Sequence, residues 1–118
     1  MYARDDSATA EQWQQLPAED HVDVATASFR MLADPTRVRL LWLLCGAERD
    51  VTDLAAAVGA ARPAVSQHLA KLRMTGLVST RRDGRRVLYR ARGGHVRRLL
   101  AEAMEAAAHV VTGAPDHA

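Results

Sequence analysis

Between positions 62 and 73 the chain reads RPAVSQHLAKLR. Ser66 and Gln67 are short polar side chains able to reach a base edge without holding a helix away from the groove floor. A glutamine amide matches adenine through two hydrogen bonds. His68 has the reach for a base or a phosphate. Lys71 and Arg73 suit phosphate contacts that fix register. At Arg62-Pro63-Ala64 a helix start would aim backbone N–H groups at an anion. A little further on, Arg81, Arg82, Arg85 and Arg86 surround Asp83-Gly84. Guanidinium groups grouped in this way can meet phosphates or enter a flanking minor groove. No Ser/His/Asp or Cys/His arrangement, phosphate-cradling glycine loop or convergent carboxylates stand out, so no catalysis is expected.

These residues need elements to present them. Apolar positions Val22, Ala25, Phe29 and Leu32 recur at helical spacing and predict a first helix over Ala18–Leu32. Asp34-Pro35 is a start signal, an N-cap acceptor followed by a proline whose missing N–H costs nothing at N1. The helix that follows is apolar nearly all round, which predicts a central, buried element stopped by Gly46. Thr52 is expected to cap a third helix, TDLAAAVG, ended by Gly59. After a short turn, Val65, Leu69 and Leu72 form the buried stripe of a helix over 62–75, with Ser66, Gln67, Ala70, Lys71 and Arg73 off it. LVSTRR and RRVLYRAR then flank Asp83-Gly84, a strong hairpin signal. A last helix opens at Gly94 and ends at Gly113 and Pro115. Alone, the helix over 62–75 would read as an ordinary amphipathic surface helix. With the preceding helix, the tight turn and the basic hairpin, it predicts a mainly α fold with a small β-hairpin, a winged helix-turn-helix. Residues 1–17 are expected to form a flexible arm, 18–112 the DNA-binding and dimerisation domain, and 113–118 a tail.

Composition narrows the partners. Arg62 to Arg92 holds nine basic residues against Asp83 alone, a local charge of +8 in a chain whose net charge is +2, so the remainder carries −6. One basic face on an otherwise acidic molecule is the footprint of a nucleic-acid binder. A chain of 118 residues fits one domain, and a domain this small gains core from a dimer interface. No apolar run approaches the ~20 residues of a membrane span, and the polar start MYARDDSATAEQ lacks the character of a signal peptide. A cytoplasmic protein is expected. Cys45 is the single cysteine, which excludes an intrachain disulfide and a four-thiolate zinc site, and it reads as a small core residue.

The stretches MLADPTRVRLLWLL, VTDLAAAVGAARPAVSQHLAKLRMTGLV and RRDGRRVLYR closely resemble the ArsR/SmtB family of bacterial metal-responsive repressors, over roughly residues 20–112, and look nearest to its actinobacterial nickel/cobalt-sensing branch. The resemblance implies a winged-helix homodimer of four helices, a hairpin and a fifth helix. It also implies an imperfectly palindromic double-stranded operator and a dimer interface made by the first and last helices.

The family's sensing sites, carried over by position, are only partly present. A Cys-x-Cys pair at the start of the third helix would fall on Asp50 and Thr52, so that thiolate site is absent. A last-helix site would fall on Gly93, His95, Ala106 and His109, of which the two histidines match. His95 and His109 lie about 21 Å apart along one helix yet within ~40° of one face. Two antiparallel copies crossing near Glu102 would bring His95 of one chain to His109 of the other, with Glu102 and Glu105 near the seam. His117, beside Asp116, falls where the nickel/cobalt branch draws a tail ligand, while Ala108 replaces a glutamate of that branch. A site of His95, His109 and His117 completed by oxygen donors would suit Ni(II) or Co(II) as effector. The alternative is a regulator of the same fold that lacks its own metal site and depends on another effector or on a metal-binding co-regulator protein.

Overall fold

The computed structural model describes residues 10–113. A short 3-10 turn at Gln12–Gln14 precedes five helices and one hairpin: α1 Glu19–Leu32, α2 Pro35–Gly46, α3 Val51–Val58, α4 Arg62–Met74, β1 Val78–Asp83, β2 Arg86–Ala91 and α5 Gly93–Thr112. No helix among them is long and apolar enough to cross a membrane.

Local chemistry sets most boundaries. Asp34 caps α2, its Oδ2 accepting from the Arg37 backbone N–H at 2.9 Å, and Pro35 takes the first helical position. The helix runs through Gly46 and stops at extended Ala47, one residue later than the glycine suggested. Helix α3 is capped by Asp50, whose Oδ1 accepts from Asp53 N–H at 2.9 Å, rather than by Thr52. Both residues have capping chemistry, and the one with extended backbone (φ −92°, ψ 175°) takes the role. Gly59 ends α3 at φ +68°, a left-handed conformation that Gly adopts at little cost. In the hairpin, Asp83 pairs with Arg86, so the two loop residues are Gly84 and Arg85. Only Gly84 takes a positive φ there.

Helix α2 is the hub, packing against α1, α3, α4, α5 and β2. Its Leu40, Leu41 and Leu44 join Leu54 and Ala55 of α3, Val65, Leu69 and Leu72 of α4, Val78 of β1, and Val96 and Leu100 of α5 in one core. The predicted α4 stripe is thus the buried one. Helix α1 differs, because it buries no residue fully and leaves Val22 and Phe29 exposed. The apolar stripe is there: Leu32 at its end packs against the core, while Val22 and Phe29 are left exposed among the described residues.

Candidate nucleic-acid interface

The three residues Gly59, Ala60 and Ala61 join α3 to α4 and swing α4 onto the core by Val65, Leu69 and Leu72, so its opposite side is turned outward. Arg62, Ser66, Gln67, Lys71 and Arg73 all stand exposed on that outer side. Val51, Arg62, Pro63 and Ser66 line a shallow open cleft at the helix start. Lys71 and Arg73 occupy the last turn, where cations also suit the helix dipole. A rigid helix with a hydroxyl, an amide and flanking cations on its free face can enter a major groove.

His68 sits differently. It is half-buried, and its Nδ1 lies 3.3 Å from Arg37 Nη1 and 4.0 Å from Asp34 Oδ2. A guanidinium has only donors, so Nδ1 accepts and the ring proton of the neutral imidazole is on Nε2. Arg37 Nε in turn donates to the Met31 carbonyl at 2.8 Å. The ring is therefore engaged with the α1–α2 corner. The Asp34 carboxyl is held below the usual carboxylate range, first by the Arg37 backbone N–H, with burial opposing.

The four wing arginines divide into pairs. Arg81 donates from Nε and Nη2 to both Glu48 carboxylate oxygens at 2.8–3.1 Å. Arg86 reaches Asp50 at 3.0 Å and Asp53 at 3.5 Å. Arg82 and Arg85 are exposed, with no hydrogen-bond or ion-pair partner among the described residues. The Arg81 hydrogen bonds draw the Glu48 carboxyl below its ordinary value, and the Asp53 backbone N–H followed by Arg86 does the same for Asp50. Glu48, Asp50 and Asp53 were not among the functional candidates in the sequence, and no local pattern links them to the wing.

Of the three histidines expected to bind metal, His95 and His109 are described, and they stand fourteen residues apart on α5. His95 Nδ1 lies 3.0 Å from Arg98 Nη2. That contact makes Nδ1 an acceptor and places the proton of the neutral ring on Nε2, the other ligating nitrogen. His109 lies near the far end of the same helix, and His117 is outside the described residues. Among the described residues no three His, Cys, Asp or Glu side chains form a group able to hold an ion. The described residues of one chain therefore do not by themselves make up a transition-metal site. Cys45 is half-buried, and burial pushes its thiol up, which leaves it a poor ligand or nucleophile.

Comparison with known proteins agrees with this architecture. Residues 34–80 match the arsR family of bacterial regulatory proteins. The HTH-type transcriptional regulator KmtR of Mycobacterium tuberculosis is 50% identical over 99 residues, covering 84% of this chain and 76% of that protein. Among solved structures, the homodimeric winged helix-turn-helix DNA-binding domain of a possible ArsR-family transcriptional regulator from Mycobacterium bovis is 32% identical. It superposes with a TM-score of 0.75 over 84% of this chain and 92% of that one. The crystal structure of NolR from Sinorhizobium fredii is 37% identical, with a TM-score of 0.69 over 78% of this chain and 94% of that one. The chain belongs to the arsR family of bacterial regulatory proteins, as a transcriptional regulator of winged helix-turn-helix architecture and not an enzyme.

Proposed function

We propose that this chain works as a homodimer that inserts α4 into successive major grooves of a palindromic operator and releases or engages it in response to Ni(II) or Co(II). The observation that carries the DNA-binding part is the outer side of α4: Arg62, Ser66, Gln67, Lys71 and Arg73 stand exposed on a helix anchored by three buried residues. The dimer is supported by apolar surface left open on α1 (Val22, Val24, Phe29) and on α5 (Leu99, Met104, Val110, Val111). It is supported too by the homodimeric M. bovis relative. A two-fold dimer would place its two reading helices about 34 Å apart, one turn of duplex.

For the metal, the donors are His95 and His109 of α5 and His117 of the tail, drawn from two chains. His95, Glu102 and His109 recur every seven residues and so share one stripe of α5. Imidazole and carboxylate donors suit Ni(II) or Co(II), and when bound the ion would tie two chains together. The Arg98 contact on His95 favours the second reading, a regulator of this fold with no metal site of its own that depends on another effector or on a partner protein.

One titration separates these readings. Purified protein is bound to its operator while NaCl is varied and then Ni(II) or Co(II) is added. DNA binding requires a steep loss of affinity with salt. Metal sensing requires a shift in affinity that His95→Ala and His109→Ala each abolish. Salt dependence with no response to either metal leaves the second reading standing alone.

A further inference from the structure

Arg49, in the loop between α2 and α3, pairs with Tyr89 of β2 through two backbone hydrogen bonds, N–H to O at 3.1 Å and the reverse at 2.9 Å. Side chains alternate along such a pairing. Glu48 and Asp50, on either side of Arg49, therefore share one face of the wing. The register Arg81↔Leu88 and Asp83↔Arg86 sets Arg81 and Arg86 on that same face, while Arg82, opposite Val87, lies on the other. Arg85 is at the loop tip.

We infer that Arg81 and Arg86 are positioning residues that fasten the wing to the start of α3, and that Arg82 and Arg85 make the wing's phosphate contacts. This rests on the DNA-binding reading above. The Arg81–Glu48 contact uses both carboxylate oxygens, the geometry in which an exposed ion pair holds a fixed orientation. Arg86 spans Asp50, the α3 cap, and Asp53, one turn into the helix. A phosphate brought to either arginine would displace these carboxylates and lie against them, whereas Arg82 and Arg85 have none of these carboxylates bound to them. The fastening also serves recognition. It fixes the wing relative to the α3–α4 pair, so groove and flanking contacts form in one register.

The test is duplex binding by the full chain across a series of NaCl concentrations, with circular dichroism melts confirming that each variant folds. Arg82→Gln and Arg85→Gln should each flatten the plot of log affinity against log salt by about 1.8, the value of two phosphate contacts, one from each protomer of the dimer. Arg81→Gln and Glu48→Gln should weaken binding alike at every salt and leave the slope unchanged. Exchanging the pair, Arg81→Glu with Glu48→Arg, should restore affinity to within about twofold of the parent. A merely steric role, or a phosphate contact at position 81, would not allow that rescue. A slope loss in Arg81→Gln or Arg86→Gln equal to that in Arg82→Gln overturns the inference, as does an exchange no better than Arg81→Glu alone. If the unaltered chain binds no duplex at any salt, the DNA-binding reading falls and takes this assignment with it. A failed comparison among variants that do bind overturns the assignment only.

Discussion

The part of the molecule built on α2, α3 and α4 and the part built on α1 and α5 close their apolar surfaces by different means. In the first, Leu40, Leu41, Leu54, Val65, Leu69 and Leu72 are 0% exposed. In the second, α1 buries no residue fully and α5 buries only Val96 and Leu100 near its start, while Val110 and Val111 remain more than 80% exposed. The reading head is completed by the chain's own contacts. The outer helices carry apolar faces of the right period that stay exposed among the described residues.

The largest effect should come from inside the head. Leu69→Ala, at a fully buried site of α4, is expected to cost about 2–5 kcal/mol in a denaturant melt. A cost below ~1 kcal/mol would show that the head is not self-contained and would break the contrast. Next comes the open surface. Met104→Glu with Val110→Glu should leave the helical circular dichroism spectrum of the head in place and convert dimer to monomer in sedimentation. Like charges opposed across an interface cost several kcal/mol. Unchanged sedimentation would mean that α5 is not the covered face.

Within the reading head, Gln67 and His68 offer a finer contrast. Gln67→Ala should relax base preference by about 1–3 kcal/mol at one position of each half-site. His68→Ala should lower affinity for all sequences alike, since its ring faces Arg37. A change of preference in His68→Ala, read from binding to a panel of operator variants, would move the base-reading edge of α4. The smallest effect is electrostatic. Asp34, Glu48 and Asp50 have carboxyl pKa values lowered on folding, so their contribution is present at neutral pH and is lost as pH falls through that lowered range. Thermal melts should show Tm dropping on acidification, and Asp34→Ala should lower Tm by a few degrees at pH 7 while shrinking that drop.

The local frame is legible in the amino-acid sequence. Asp34-Pro35 starts α2, Gly59 ends α3, the Val65–Leu69–Leu72 stripe anchors α4, and the turn at Gly84 closes the hairpin. Each of these is written within a few residues, because caps, helical period and turn geometry act over one or two turns of chain. The exceptions were near misses of the same kind, such as Asp50 capping α3 in place of Thr52, where two residues of similar chemistry compete within one turn. Which polar groups are already engaged is visible only in the folded chain. Four arginines of one hairpin look alike in sequence, yet Arg81 meets Glu48 across 33 residues and Arg86 meets Asp50 across 36. His68 meets Arg37 across 31, which turns a side chain of the reading helix toward the α1–α2 corner. Such pairings depend on the path of the chain between them, and composition or period carries no record of that path. In the same way the stripe on α1 declared that a face would be apolar, but only the fold shows that Leu32 meets the core while Val22 and Phe29 stay exposed among the described residues.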